Sequence, residues 1–414
     1  MSGKKHYPAK KGYRKSYGGA MAREGEFHSE QRKLLATEWS EDENKSTKRR
    51  CPCCQKWTRP RAYQPRAVAT RFGEVIYFRF TYYCEPCRQG FCWRDAELDL
   101  EEESATDDVI AWALDLAVND SFESSCSRLR LHHDQRISAT ALKHLFWRQC
   151  APMADAAEPA PTAALPFCQD NRHLPATVMT DGSMVRHRNG WHEVKLMRIG
   201  LLGGKNDVYL AEAGEIARLE AQLLNSPGAA EMRRRVVLWL SDGALWIWNL
   251  QERLFPWAFC LLDYYHAREH AFACAKAIFD EGDGCESLFV DCIERMLFDG
   301  RVREVVEQLR RCVWERALGK GADASMEKAI LDLAQYYENN QTRMDYPRFL
   351  RNGWPIGSGA VESAHRSVLQ KRLKQPGMRW SEINVQRMAT ARALYKSAGP
   401  ERFYEHLRPE RVAA

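Results

Sequence analysis

The sequence predicts an α/β protein, with a mixed sheet carrying acidic strand ends behind a cysteine ribbon and a small helical segment. Three observations carry this expectation. Two aliphatic runs, Val178-Met179-Thr180 and Leu238-Trp239-Leu240-Ser241, are each followed by Asp-Gly, at Asp181-Gly182 and Asp242-Gly243. A third segment, Ile356-Gly357-Ser358-Gly359-Ala360-Val361-Glu362-Ser363, opens a helical pattern after a Gly-Ser-Gly break and bears a Glu one turn in. Two C-x-x-C pairs, Cys51 to Cys54 and Cys84 to Cys87, flank a strand-like stretch.

A chain of 414 residues is long for one domain, so two or three are expected. The net charge of +6 is a mild basic bias that permits a polyanionic partner without requiring one. No apolar run reaches the roughly 18 residues of a membrane span, and Met1-Ser2-Gly3-Lys4-Lys5-His6 has no signal-peptide core, so a soluble, cytoplasmic protein with no membrane partner is expected. In that setting 14 cysteines argue for reduced thiols and metal binding, not a disulfide framework.

Residues 1–48 are polar, with Lys4, Lys5, Lys10, Lys11, Arg14 and Lys15 among Tyr and Gly. They read as a basic, disordered leader or as an arm laid on phosphates. Over 49–100 the two cysteine pairs, 29 residues apart, enclose strand patterns at 67–72 and 75–83 with a turn at Phe72-Gly73-Glu74. A hairpin brings the two knuckles together, and the thiolates of Cys51, Cys54, Cys84 and Cys87 then close a tetrahedral structural zinc site; Cys53 is a possible substitute for Cys51 or Cys54. Over 101–150 the period turns helical, with Val109, Ile110, Ala113, Leu114 and Ala117 on one stripe and Ser138 placed to cap the last helix. Three short helices with a basic turn bearing Arg128, Arg130 and Arg136 fit either a helix-turn-helix that binds DNA or a small bundle with a solvated face.

The Ala/Pro-rich stretch in 151–170 reads as a linker. Strands follow at 176–186, 191–201 (after an Asn189-Gly190 turn) and 208–210, then a helix at 213–224 and strands at 236–240 and 259–262. Residues 271–344 are helical throughout, an insertion before a returning helix that starts at Gly359; 401–414 is a tail. Neither Gly-Gly-Lys nor Gly-Ser-Gly has the spacing of a phosphate-binding P-loop.

This order of elements is that of a ribonuclease-H-like domain, over 171–270 and 345–400. In its 3-2-1-4-5 sheet the first and fourth strands are neighbours, so Asp181 and Asp242 can share a metal while Glu362 approaches from the helix. Hard carboxylate oxygens suit Mg2+ (or Mn2+), and a two-metal site clamps the attacking and leaving oxygens of a phosphodiester. Asp263 also ends a strand and competes with Asp242. With His266 it forms an Asp-x-x-His element suited to a supporting role beside the metal ligands or to plain strand-end capping. Past Glu362, Arg366, Lys371, Arg372, Lys374 and Arg379 are placed to contact DNA phosphates, and Trp380 is either a stacking platform or a core residue.

The chain resembles bacterial insertion-sequence transposases of the DDE class, closest to the ISKra-type family and more distantly to the Mutator-like group. The matching stretches are Thr180-Asp181-Gly182, Ser241-Asp242-Gly243-Ala244, Leu262-Asp263-Tyr264-Tyr265-His266-Ala267, the 356–363 segment, and Lys374-Gln375-Pro376-Gly377-Met378-Arg379-Trp380, with Tyr82-Tyr83-Cys84 and Gly90-Phe91 upstream. The resemblance covers roughly residues 50–395. It implies catalytic Asp181, Asp242 and Glu362, binding of terminal inverted repeats in double-stranded DNA, end cleavage and strand transfer, a homodimer, and a place on the nucleoid. A metal-dependent nuclease without strand transfer and a non-catalytic DNA-binding regulator are the alternatives.

Overall fold

The computed structural model describes residues 12–100, 103–156, 163–279, 284–318 and 323–407. Two compact units divide the chain, Met1–Phe146 and Trp147–Ala414.

The first unit begins with helix α1 (Gly12–Trp39). Strands β1 (Arg49–Arg50) and β2 (Trp57–Thr58) pair, and β3 (Pro60–Thr70), β4 (Gly73–Cys84) and β5 (Gln89–Phe91) form an antiparallel sheet in that order. On β4 the alternate residues Val75 and Tyr77 point inward, the period-two signature of a half-buried strand. The expected disordered leader is corrected here: it is helical over Gly12–Trp39, while Lys4, Lys5, Lys10 and Lys11 lie outside the described residues. The helix has no apolar stripe to announce it, and docking supplies its order. Trp39 packs edge-on against Tyr77 at 5.8 Å, and Arg32 donates to the Phe72 carbonyl at 2.6 Å. Just past the helix, Phe80 N–H donates to Glu41 at 2.6 Å.

Helix α2 (Trp93–Glu97) carries the buried Asp95, which accepts from Tyr77 Oη at 2.6 Å and Arg79 Nε at 3.0 Å and pairs with Arg66. A buried carboxylate persists only with such partners, and these tie β3, β4 and α2 together. Helices α3 (Asp107–Asn119), α4 (Phe122–His133) and α5 (Ala139–Ala154) follow, with Ser121 and Ser138 accepting from Ser124 N and Ala141 N at the starts of α4 and α5. In the α4–α5 turn, buried Gln135 donates to the Thr70 carbonyl at 2.8 Å and fastens the helices to the end of β3.

The expected linker at 151–170 is not where the units part. Helix α5 runs to Ala154, with Trp147, Cys150 and Ala154 buried at helical spacing. Beyond the undescribed residues 157–162, Ala163, Leu165 and Phe167 alternate into the second core. Leu165 N–H donates to the Pro227 carbonyl at 2.8 Å, and the Arg235 guanidinium lies 4.6 Å over the Phe167 ring. The Ala/Pro-rich run itself, 157–162, lies outside the described residues.

The second unit is built on β6 (Ala176–His187), β7 (Gly190–Leu201), β8 (Val208–Glu212), β9 (Val237–Ser241) and β10 (Phe259–Leu262), in spatial order β10-β9-β6-β7-β8. Pairs β6–β7 and β7–β8 are antiparallel, while β6–β9 and β9–β10 are parallel. Counted in chain order this is 3-2-1-4-5 from the β8 edge. The runs in β9 are buried on both faces, as a central parallel strand requires. Helices α6 (Ile216–Asn225), α7 (Ala229–Met232) and α8 (Leu245–Leu254) connect the strands. Then α9 (Tyr264–Ile278), α10 (Cys285–Phe298), α11 (Val302–Leu318) and α12 (Ala324–Asn340) form the expected helical segment, followed by α13 (Tyr346–Arg351). The chain returns through α14 (Gly359–Ala364), a π-helical turn (His365–Gln370), α15 (Lys371–Leu373) and α16 (Glu382–Leu407), the last broken at Gly399. Helix α16 covers β8, with Tyr209 N–H donating to Ser397 Oγ at 2.8 Å. Among the described residues no helix is long and apolar enough to cross a membrane.

Candidate functional site

Two groups of three or more ligand-type side chains bring their ligand atoms within 4.8 Å of one another among the described residues: Cys51, Cys54, Cys84 and Cys87, and Asp263, His266 and Glu362.

The cysteine group follows from two matching knuckles. After each C-x-x-C comes a residue with left-handed backbone, Gln55 (φ 60) and Arg88 (φ 52), which folds the loop back so both thiols face inward. The sulfurs of Cys54 and Cys84 are 3.5 Å apart and those of Cys51 and Cys87 4.0 Å. Zinc bonded to sulfur at about 2.3 Å in a tetrahedron needs edges of about 3.8 Å, so this donor set fits the ion and could hold it structurally. The Lys56 N–H first, then the neighbouring thiols, draws the Cys54 thiol down to about 7, toward the thiolate a metal requires. Cys53 is exposed and outside the group, so it does not substitute for either neighbour.

In the second unit, strand register decides which acids meet. Met179 pairs with Leu240 at the last β6–β9 rung, so the parallel register, carried two residues on, sets Asp181 opposite Asp242. Leu262 pairs with Ser241, which sets Asp263 beside Asp242 in the same way, and Asp263 N–H donates to the Ser241 carbonyl at 2.7 Å. Three aspartates thus form a row across the sheet, directly after β9 and β10 and midway along β6; open α/β sheets bind their ligands at the carboxyl ends of such parallel strands. Asp181 lies inside the long strand β6, not at its end, but β9 no longer pairs beyond Met179 and leaves that stretch of edge open.

The three carboxylates differ in how they are satisfied. Asp263 is wholly buried. Its Oδ1 accepts from Tyr265 N at 2.6 Å and His266 N at 3.2 Å; its Oδ2 accepts from Ser358 N at 2.5 Å and from Ser358 Oγ. Four bonds fill the roughly four lone-pair sites of a carboxylate, leaving none for a metal. Burial pushes this carboxyl up, but the interactions with His266 and Ser358 outweigh it and hold it below 3.8. His266, its Nδ1 3.7 Å from Asp263, is raised to about 9 first by that contact and is cationic at neutral pH, with no lone pair free for a cation on a protonated nitrogen. The Asp263, His266 and Glu362 group is therefore a poor metal site despite its compactness. Asp263 is instead a latch joining the start of α9 to the turn that launches the Glu362 helix. Gly357 in that turn is required by space, since a Cβ there would meet the Tyr265 ring at 2.6 Å.

Asp181 and Asp242 keep capacity. Asp242 Oδ1 accepts from Ala244 N and Ser241 Oγ, each at 3.1 Å, while its Oδ2 has no partner among the described residues. Glu362 is exposed one turn into α14, and its carboxylate has no hydrogen-bond or ion-pair partner among the described residues. Asp181 Oδ1 accepts from Gly182 N at 2.6 Å. Burial first, then the charge of Asp242, raises Asp181 to about 6, with a smaller push from Glu362. Asp181 thus feels the charge of both other acids, but among the described residues the oxygens of Asp181, Asp242 and Glu362 do not all come within 4.8 Å of one another, so the expected trio is less tightly gathered than Asp263, His266 and Glu362.

Of the basic residues, Arg366, Lys371, Lys374 and Arg379 are exposed and have no carboxylate partner among the described residues. Arg372 corrects the expectation: it is buried, 5.2 Å over the ring of Trp380, and cannot reach DNA. Trp380 is a core residue whose Nε1 donates to the Leu373 carbonyl at 3.0 Å. In the first unit Arg128, Arg130 and Arg136 are all exposed, and Arg128 is also paired with Asp120.

Two neighbours of the acids were not expected. Tyr336 of α12 donates to the Asp242 carbonyl at 2.8 Å, so the helical segment touches the acidic row. His365 Nε2 lies 3.2 Å from Asp181 Oδ2, and burial drives its imidazole down to about 4, hence neutral. Only its three-residue distance from Glu362 could have signalled it. No protein-family model and no curated protein matches the chain.

Proposed function

We propose that the chain is a DNA transposase of the DDE class, a ribonuclease-H-like polynucleotidyl transferase that cleaves the ends of an element and joins them to target DNA. The observation that carries this reading is the row of aspartates across β6, β9 and β10, with partner-free carboxylate capacity on Asp242 and Glu362 beside a strained Asp181. Asp181, Asp242 and Glu362 would hold Mg2+ or Mn2+, which when bound supplies Lewis-acid activation of an attacking water or 3′-hydroxyl and charge stabilisation at the leaving oxygen. Asp263 and Ser358 tie the helix bearing Glu362 to the end of β10, the strand beside the one that leads to Asp242. Exposed Arg366, Lys371, Lys374 and Arg379 would seat the phosphate backbone beside the acids, and Arg130 and Arg136 would meet DNA from the first unit, whose cysteine group would carry zinc. Two ends must be held together, which calls for a homodimer, acting on the nucleoid.

The test uses a supercoiled plasmid carrying the DNA that flanks the coding region. Asp181→Ala, Asp242→Ala and Glu362→Ala should each abolish Mg2+-dependent cleavage while plasmid binding persists. Cleavage without joined products would favour a nuclease, and plasmid binding without cleavage by the wild-type chain a DNA-binding regulator. An active Asp242→Ala beside a folded but inactive Asp263→Ala would overturn the ligand assignment.

A further inference from the structure

Helix α14 does not continue as an ordinary α-helix. After Ala364 it widens into a π-helical turn over His365–Gln370, a rare geometry concentrated at functional sites. The widened turn is braced from α16 by Arg392, itself fully buried. Its Nε donates to the Val368 carbonyl at 2.9 Å and its Nη2 to the Ser367 carbonyl. Placing a guanidinium in the core to hold two carbonyls is costly unless the geometry it holds is needed.

The first residue of that turn is His365, three positions after Glu362 and so on the same helical face. The side chain is only 3% exposed, yet neither ring nitrogen has a hydrogen-bond partner, although Nε2 is 3.2 Å from Asp181 Oδ2. A buried polar group left unpaired costs roughly 1–3 kcal/mol, which a leucine or phenylalanine in that place would avoid. Hydrogen bonds at reactive sites are often misaligned before the ligand arrives and tighten when it does. Oδ1 of Asp181 is already held by Gly182 N, so the only unrestrained atom of this carboxylate is the one facing His365.

We propose that His365 is the positioning residue for Asp181: its Nε2 restrains Oδ2, and the π-helical turn braced by Arg392 exists to lower the ring onto strand β6. The carboxylate then presents a fixed orientation to the cation shared with Asp242 and Glu362. This rests on the metal-binding reading of those three acids. Partners that orient a ligand in this way typically govern metal affinity by 10–100-fold.

The test measures Mn2+ binding to the full chain by electron paramagnetic resonance, with thermal melting alongside. Glutamine sets its amide nitrogen where Nε2 stands; asparagine reaches only the position of Nδ1. His365→Gln should bind Mn2+ like wild type, whereas His365→Asn should bind about 10–100-fold more weakly at a similar melting temperature. Equal binding by the two folded variants would overturn the proposal, as would His365→Leu binding like wild type. Asp181→Asn separates the two levels of inference. If wild type binds Mn2+ and Asp181→Asn does not, but His365→Asn does, only the role of His365 falls. If Asp181→Asn leaves Mn2+ binding unchanged, the metal-binding reading and the role of His365 fall together.

Discussion

Replacing Asp181 by asparagine should make the metal-free protein more stable. In the folded chain this carboxyl is raised from its ordinary 3.8 to about 6, burial first and the Asp242 charge second. At about 1.4 kcal/mol for each tenfold change in proton affinity, keeping it ionised costs the fold about 3 kcal/mol, and partial exposure reduces this to roughly 2–3. The sign follows from linkage. A carboxyl raised on folding favours the folded state fully below pH 3.8, and that contribution is lost as pH rises through 6. Asparagine imitates the protonated form and can still accept from Gly182 N. Its advantage should be near zero at about pH 4 and complete above about pH 7. For a domain of this size each kcal/mol moves the midpoint by about 2–4 °C, so Asp181→Asn should melt roughly 5–10 °C higher at neutral pH. The assay is a calorimetric melt without added divalent metal and without chelator, so that the cysteine group is undisturbed. An unchanged or lower midpoint at neutral pH, or the same advantage at both ends of the pH range, would refute the argument that Asp181 is held strained.

The purified chain should contain one zinc, by elemental analysis, lost in Cys51→Ser and Cys84→Ser but retained in Cys53→Ser, because Cys53 stands outside the group. Lys374→Ala and Arg379→Ala should each weaken DNA binding and lower the log–log salt slope by about 1, whereas Arg372→Ala should leave the slope alone and lower the melting temperature, since its guanidinium is buried over Trp380. Ser358→Ala removes one of the four donors to Asp263, the hydroxyl on Oδ2, while sparing the Ser358 N–H, and should cost about 1–3 kcal/mol in denaturant melts with a loss of cleavage that DNA binding does not share.

The strands of the second unit were legible because they alternate or run apolar between turn residues. The two-residue Arg188-Asn189 turn, with Gly190 opening β7 opposite His187, gives the β6–β7 hairpin its register, and the adjacent pairing of the first and fourth strands followed from the order of elements. The acids were legible as far as backbone register controls them. Three features were not. Helix α1 has no apolar stripe and is ordered by contacts made by Trp39 and Arg32 with residues far along the chain. Arg372 sits in a basic run, and composition cannot say which member of a run turns inward to lie on a tryptophan. The π-helical turn at His365 depends on Arg392, some two dozen positions later, so no local pattern announces it.

The choice between Asp242 and Asp263 shows how structure adds to sequence. Both follow a strand, both stand in the same row, and by spacing alone either could be the ligand. Their hydrogen bonds separate them. Asp263 takes four bonds from its own chain, is held below its ordinary range, and has nothing left to offer. Asp242 keeps one oxygen unengaged, Glu362 keeps its whole carboxylate, and Asp181 is held ionised at neutral pH against burial and a neighbouring charge. On the proposed reading, a cation bound beside Asp181 would offset what burial and the Asp242 charge cost that carboxylate. The satisfied aspartate builds the site, and the unsatisfied ones would bind in it.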